Sequence, residues 1–320
     1  MQPSAVQEAG PASREFAEDV AYYLSQSPRQ LPSHHLYDEL GSALFEAICR
    51  LPWYQITRIE QRLLDRLARD IFSLVHPLST LVELGPGSGL KLAALLSARP
   101  AGPMTVHLVD VSGAALDAAG RVLASDADLV VVPHEATYEA GLAEVARGPR
   151  APGRILTLFL GSNIGNFDPP GADTFLRVVR GAMSSGDSLL LGADLVKPEA
   201  DLLLAYDDPL GVTSAFNMNL LVRANRELDA DFDLGGFVHR AIWNGGASRI
   251  EMHLVSLRQQ RVRVPAADLD ITFEAGEMIW TESSYKYSAG HVVAMVEQAG
   301  FRTVHQWSED GFALTLAEAP

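Results

Sequence analysis

The chain has 320 residues, of which 48% are hydrophobic and 20% charged, a balance typical of a folded protein with one large domain or two smaller ones. Its formal net charge of -15 argues against a nucleic-acid partner, because nucleic-acid-binding surfaces are normally basic. The sequence contains no apolar run long enough to cross a membrane, and its N-terminus lacks the basic and apolar regions of a secretory signal. We therefore expect a cytoplasmic protein without a membrane partner.

The first third of the chain is predicted to be helical. Residues 1–12 are polar and are expected to be frayed, and an amphipathic helix is predicted to begin near Ala12. Apolar residues then recur at helical spacing up to residue 74. The single cysteine, Cys49, excludes an intramolecular disulfide and is predicted to be buried core. Trp53 and Tyr54 lie in an exposed-looking aromatic loop next to a helix end, which is more often a packing contact than a binding lid.

A strand at residues 80–84 leads into three glycines at alternate positions, Gly85, Gly87 and Gly89. Glycine is required where the backbone takes a positive φ or must lie close to a ligand. A second strand, at residues 104–109, ends in Asp110, which is placed to accept hydrogen bonds from ribose hydroxyls. This pattern indicates a nucleoside-cofactor site, although a glycine-rich turn alone could be purely structural.

Strands and helices then alternate regularly, which predicts a parallel sheet with right-handed crossovers. The remaining predicted strands are residues 128–132, which we expect to be covered on both faces, 154–160 and 188–191. After about residue 196 the pattern changes to helices and a hairpin across an Asn-Gly-Gly turn, which indicates an inserted lobe. The first pattern resumes with a helix at 291–299 and a hairpin at 300–316.

The closing hairpin distinguishes two α/β fold classes. Dinucleotide-dependent dehydrogenases usually add another parallel strand, whereas the class I methyltransferase fold (Rossmann-like) closes its sheet with an antiparallel hairpin. The glycines are spaced G-x-G-x-G and not G-x-G-x-x-G, the spacing that seats a pyrophosphate. Both observations favour S-adenosylmethionine as the cofactor.

Longer segments resemble one family over nearly the whole chain: LYDELGSALFEAI, RLPWYQITR, LVELGPGSGLK, LFLGSNIGNF, AYDDPLGVTSAFN, RIEMHL and TESSYKYS. The resemblance is to the histidine-specific methyltransferases of ergothioneine biosynthesis. It implies an enzyme that transfers three methyl groups from S-adenosylmethionine to the α-amino nitrogen of L-histidine, with hercynine and S-adenosylhomocysteine as products. Two alternatives stay open, an N-methyltransferase of another aromatic amino acid and a non-catalytic binding protein for S-adenosylmethionine or an amino acid.

The same resemblance implies the site residues. Three side chains match those that grip the carboxylate and amine of the amino acid: Tyr54, Asn166 and Tyr206. Glu282 and Ser284 match the partners of the imidazole ring, Met252 lines that ring, and Tyr37 lies beside the transferred methyl group, as a candidate catalytic residue that also contacts the cofactor. The other implied cofactor-binding residues are Gly85, Gly87, Lys91, Asp110, Thr137 and Tyr138.

Thr137 departs from the family pattern, in which an aspartate usually precedes the aromatic residue near the adenine, so the adenine contact is expected to be weaker. The histidines lack metal-ligand spacing, and His34-His35 is predicted to lie in a loop, so we predict no metal. The predicted arrangement is a monomer of two lobes. Residues 1–58 and 196–286 form an α+β substrate-binding lobe, and residues 59–195 and 287–320 form the methyltransferase domain.

Overall fold

A computed structural model of the protein describes residues 11–320, so most of the segment predicted to be frayed lies outside the described residues. The chain forms two compact units. The first contains the described residues up to Phe45, Tyr206–Trp243 and Ile250–Glu282; the second contains Glu46–Ala205, Asn244–Arg249 and Ser283–Pro320. The sequence had placed the first boundary later, at residue 58, and the roles that it gave the two lobes stay predictions.

The second unit is built on a seven-stranded sheet. Its strands are β2 (Leu78–Leu84), β3 (Met104–Asp110), β4 (Leu129–Glu135), β5 (Arg154–Phe159), β6 (Ser188–Asp194), β12 (Arg302–Glu309) and β13 (Phe312–Glu318). Their order is β12-β13-β6-β5-β2-β3-β4. Strands β2 to β6 run parallel, whereas β13 pairs antiparallel with both β6 and β12. The predicted α/β sheet with its closing antiparallel hairpin is confirmed.

Helices connect these strands. They are α3 (Ile56–Leu74), α4 (Leu90–Leu96), α5 (Gly113–Leu123), α6 (Tyr138–Arg147), α7 (Pro169–Gly181) and α10 (Ala289–Gln298), and α2 (Glu39–Arg50) precedes them. Four of these helices begin after a side chain that accepts a hydrogen bond from the first turn: Ser112, Thr137, Asp168 and Ser288. Such N-caps stabilise a helix by about 1 kcal/mol and fix where it starts.

Two sequence expectations about burial are wrong, and one is confirmed. Strand β4 lies at the edge of the sheet and is not covered on both faces, since Val130 is exposed. Tyr54, between α2 and α3, is buried, as expected of an aromatic loop that packs. Cys49 is only half-buried, although burial still raises the pKa of its thiol.

The first unit combines helices with a mixed sheet. Its helices are α1 (Pro11–Leu24) and α9 (Val212–Glu227). Helix α8 (Glu199–Tyr206) belongs to the second unit except for its last residue, Tyr206. The sheet of the first unit has the order β1-β11-β8-β7, from β1 (Arg29–Gln30), β7 (Phe237–Asn244), β8 (Arg249–Ser256) and β11 (Met278–Tyr285). The pair β9 (Gln260–Val264) and β10 (Leu269–Phe273) forms a separate ribbon. The predicted hairpin across the Asn-Gly-Gly turn is present, but β11 was not predicted as a strand.

Among the described residues, no helix combines the length and apolar character needed to cross a bilayer.

Candidate active site

The glycine-rich turn after β2 is held in the left-handed region of backbone conformation. The φ angles of Gly85, Gly87 and Gly89 are 75°, 52° and 74°. The Gly85 amide donates to the carbonyl of Val109 at 2.8 Å, which ties the turn to the end of β3. Because three of the five residues from Gly85 to Gly89 have no side chain, a ligand can approach this backbone at the carboxyl ends of the parallel strands, where open α/β sheets bind cofactors.

Gly85→Ala tests this turn. An added Cβ would lie 2.9 Å from the hydroxyl oxygen of Tyr138 and 3.1 Å from Nδ2 of Asn163. Gly211 has nearly the same φ, 73°, but no heavy atom within 4 Å of an added Cβ. Both alanines carry the left-handed penalty of about 1–2 kcal/mol, and only Gly85→Ala adds a steric clash. We expect Gly85→Ala to lower Tm more than Gly211→Ala does. By calorimetry, Gly85→Ala alone should weaken S-adenosylhomocysteine binding, at least tenfold. Equal losses in both variants would contradict this expectation.

A buried charge cluster lies behind the turn. Glu60 of α3 is fully buried, and its carboxylate accepts hydrogen bonds from Lys91 Nζ at 2.6 Å and from the Gly161 amide at 2.8 and 2.9 Å. Burial opposes the charge on Lys91, but the Glu60 carboxylate more than compensates and raises the lysine pKa. Sequence reasoning selected Lys91 and missed Glu60, whose place in an amphipathic helix gave no indication of this contact.

Glu83, the residue before Leu84 and the turn, is also buried. Its Oε2 accepts no hydrogen bond from the part of the chain that the structure describes. A buried acceptor without a partner beside an open glycine turn fits a ligand that carries donors, such as the ammonium group of S-adenosylmethionine. The residues present therefore fit this cofactor.

Burial raises the pKa of Glu83 to about 8, which makes stability depend on pH. Between the ordinary glutamate pKa of about 4.3 and this value, the folded state keeps a proton that the unfolded state has lost, so stability falls as pH rises through that window, by about 1.4 kcal/mol per pKa unit. We expect Glu83→Gln to flatten this decline in denaturant unfolding between about pH 5 and about pH 9. The exposed Glu139→Gln should keep the wild-type slope. An unchanged slope in Glu83→Gln would refute the assignment.

The predicted ribose and adenine residues follow β3 and β4. Asp110 ends β3, its Oδ1 accepts from the Ser112 amide at 2.9 Å, and burial raises its pKa. The ring of Tyr138 packs edge-on against Phe159, with centroids 5.4 Å apart, and its hydroxyl faces Gly85. Thr137 is exposed and its hydroxyl caps α6. Gly85, Asp110 and Tyr138 thus lie at the carboxyl ends of the parallel strands. Thr137 lies beside them and is exposed.

The turn after β5 lies next to the end of β11 within the second unit. Asn166 is half-buried in a short 3-10 turn, Asn163–Asn166. The adjacent Gly165 packs so closely on this strand that an added Cβ would lie 2.8 Å from the Tyr285 carbonyl oxygen. The structure therefore brings Asn166 near Ser284, which precedes Tyr285.

Ser284 is supported by a second buried charge pair. Lys286 Nζ donates to Ser284 Oγ at 2.8 Å and lies 3.0 Å from Asp194 Oδ2. The side chains of Lys286 and Asp194 are 0% and 1% exposed. Since Lys286 donates, the serine oxygen acts as acceptor in this contact. Sequence reasoning missed Lys286 and Asp194.

Of the other predicted substrate residues, Met252, Glu282 and Tyr206 lie in the first unit, whereas the buried Tyr54 lies in the second. Met252 is buried on β8, and its carbonyl accepts from the hydroxyl of Thr281, the neighbour of Glu282 on β11, at 3.0 Å. Glu282 is half-buried. These two predicted ring contacts therefore lie on adjacent strands.

Tyr206 and Tyr37 lie elsewhere in the first unit. The Tyr206 carbonyl at the end of α8 accepts from His239 Nε2 at 2.9 Å. The ring of Tyr37 packs against Phe45 and Phe216, with centroids 5.5 and 5.4 Å apart.

The sheet order and the glycine turn with its acidic residues at the strand ends define a class I, S-adenosylmethionine-dependent methyltransferase. The family model described as "Histidine-specific methyltransferase, SAM-dependent" matches residues 16–319. The chain belongs to this family, and it is an enzyme that takes methyl groups from S-adenosylmethionine.

Curated relatives agree with this membership. The chain is 42% identical over 304 residues to the histidine N-alpha-methyltransferase of Mycobacterium tuberculosis, covering 93% of each chain. It is 40% identical over 314 residues to the enzyme of the same name from Mycolicibacterium smegmatis, covering 97% of this chain and 96% of the relative. It is 29% identical over 290 residues to ergothioneine biosynthesis protein 1 of Schizosaccharomyces pombe, covering 87% of this chain but 37% of that longer protein.

Proposed function

We propose that this enzyme methylates the α-amino nitrogen of L-histidine three times to give hercynine, the first step of ergothioneine biosynthesis. The observation that carries the proposal is the 42% identity, over 93% of both chains, to a histidine N-alpha-methyltransferase. The fungal ergothioneine protein supports the pathway assignment.

Within this proposal, the substrate residues have distinct roles. Tyr54, Asn166 and Tyr206 hold the carboxylate and amine of the amino acid, and neutral donors can do so without burying an unpaired charge. Glu282 and Ser284 pair the two ring nitrogens of the imidazole, and Met252 packs beside the ring. A phenyl ring would leave these polar groups unsatisfied, which is how a site of this kind rejects a non-polar analogue.

S-adenosylmethionine supplies a methyl group that is already activated, so the chain mainly has to align the amine with it. Alignment of this kind can contribute several kcal/mol, up to about 7–11 in well-oriented reactions. The amine must lose its proton before it reacts. We propose either that Tyr37 relays this proton, its hydroxyl oxygen accepting it while the hydroxyl hydrogen passes to water, or that the proton leaves to water before the substrate binds. A kcat–pH profile of Tyr37→Phe distinguishes these routes, because unchanged turnover would remove Tyr37 from the step.

The test of the overall function is mass spectrometry of purified enzyme incubated with S-adenosylmethionine and each of the twenty amino acids. We expect a gain of three methyl masses on histidine alone. Methylation of another aromatic amino acid in place of histidine would support the second candidate, an N-methyltransferase with different ring selectivity. Binding of S-adenosylhomocysteine without product from any amino acid would indicate a non-catalytic binding protein.

We also propose that the enzyme is a cytoplasmic monomer. Both proposed substrates are cytoplasmic metabolites, which supports the location. Sedimentation analysis at micromolar concentration tests the oligomeric state.

A further inference from the structure

Three side chains that the proposed function does not use converge in the first unit. His34 and His35 lie on a 3-10 turn, Ser33–Leu36, and Asp19 lies on α1. The Nε2 atoms of His35 and His34 are 2.8 and 3.6 Å from Asp19 Oδ2. One potential ligand atom from each residue lies within 4.8 Å of the others. Glu15, one turn earlier on α1, approaches His34 Nε2 at 4.0 Å.

We propose that His34, His35 and Asp19 form a binding site for a transition-metal dication of the Zn²⁺ class, with Glu15 within reach as a fourth ligand. Two imidazoles and a carboxylate are ligands that zinc accepts, whereas Mg²⁺ and Ca²⁺ prefer all-oxygen sites. With metal–ligand bonds of about 2.0–2.1 Å, tetrahedral donors stand roughly 3.4 Å apart. The separations from Asp19 Oδ2, 2.8 Å to His35 and 3.6 Å to His34, lie on either side of this spacing. They would change by about 0.6 and about 0.2 Å to reach it.

The contact between His35 and Asp19 shows how the imidazole would bind. A neutral ring nitrogen binds a metal through its lone pair, and the other ring nitrogen then carries the hydrogen. His35 Nε2 lies 2.8 Å from Asp19 Oδ2. A cation between these two atoms would take the place of the hydrogen there, and the neutral ring would carry its hydrogen on Nδ1.

One charge opposes a cation here. Arg223 of α9 stacks on Phe16, 4.6 Å from the ring centroid, and donates to the His35 carbonyl at 2.9 Å. Its guanidinium is paired with Glu227 at 3.0 Å, which offsets its charge. With Asp19 and Glu15 both acidic, the local balance of charge still favours a dication.

The site would join α1 to the turn that ends just before Tyr37. A metal there is expected to act structurally, by holding these two segments together, and methyl transfer does not depend on it chemically. The proposal departs from the sequence expectation of no metal, which considered only spacing along the chain and could not include Asp19.

The test uses untagged, chelator-stripped full-length protein titrated with Zn²⁺, and with Co²⁺ as a spectroscopic probe. L-histidine is left out because it binds Zn²⁺ itself. We expect one Zn²⁺ per chain and a rise in Tm that Mg²⁺ does not produce. His34→Gln, at a side chain 53% exposed, and Asp19→Asn should each weaken binding at least tenfold, whereas the exposed His305→Gln should not.

Retention of wild-type affinity by correctly folded His34→Gln, as judged by circular dichroism, would overturn the proposal. So would a wild-type protein that holds no Zn²⁺ after gel filtration. Neither result bears on histidine methylation, which is assayed separately.

Discussion

Glu60→Gln is expected to lower the free energy of unfolding by about 3–5 kcal/mol, the range for breaking a buried ion pair from one side. The Glu60 carboxylate is fully buried, pairs with Lys91 and accepts the Gly161 amide. It also lies against Gly192 of β6, where an added Cβ would be 2.2 Å from Glu60 Oε1. The substitution leaves the Lys91 ammonium, whose side chain is 22% exposed, without the fully buried carboxylate that pairs with it. Urea denaturation followed by circular dichroism measures the loss.

A double-mutant cycle with Lys91→Met separates this pair from its surroundings. If the Glu60–Lys91 pair accounts for most of the loss, adding Lys91→Met to Glu60→Gln should lower the free energy of unfolding little further. The second substitution removes the charge that the first left unpaired. Asp270→Asn provides the control, since Asp270 and Arg261 form an exposed ion pair, and such pairs contribute at most about 1 kcal/mol. Equal losses in Glu60→Gln and Asp270→Asn would show that the buried cluster is not a stabilising centre.

Glu282→Gln is expected to lower kcat/KM for L-histidine by about 10–100-fold, because a hydrogen bond to a charged group is worth about 1.5–3 kcal/mol. In the proposed site this carboxylate accepts the imidazole N–H. Glutamine keeps the size but loses the charge and can present a donor in its place. Steady-state kinetics with L-histidine and L-phenylalanine measure both the loss and the change in selectivity.

Glu274→Gln is the matched control for this substitution, because Glu274 belongs to the same unit, is exposed, and its carboxylate accepts a hydrogen bond from the side chain of Gln259 at the surface. It should leave both kinetic constants unchanged. Wild-type kcat/KM in Glu282→Gln would remove this residue from substrate recognition and direct attention to Ser284.

The sequence predicted the sheet well, because its strands are apolar runs separated by clear turn residues. The segment before the glycines and the closing hairpin both carry this pattern, and both are confirmed. The prediction failed at β4, where Val130 was expected to be buried but is exposed on an edge strand. The order of strands in a sheet depends on tertiary structure, which the local sequence pattern does not indicate. The prediction also failed at β11, where the polar residues of TESS mask the strand.

Some residues of the candidate site could likewise be predicted from the sequence, and others could not. Gly85, Asp110 and Asn166 could be found because each follows a predicted strand and open α/β sheets place their ligand sites there. The sequence could not identify Glu60, Lys286 and Asp194. Their contacts are with partners distant in the sequence, or they depend on burial that no local pattern indicates.

The placement of β13 has a consequence for synthesis on the ribosome. This strand completes the sheet by lying between β6 and β12, yet more than a hundred residues separate it from β6, and most of the first unit is encoded in that interval. One edge of β6 must therefore remain without its partner while the insertion emerges. Pairings between distant segments form slowly, and open strand edges invite aggregation. Between the translation of β6 and that of β13, this edge of the growing sheet is therefore open to pairing with a wrong strand.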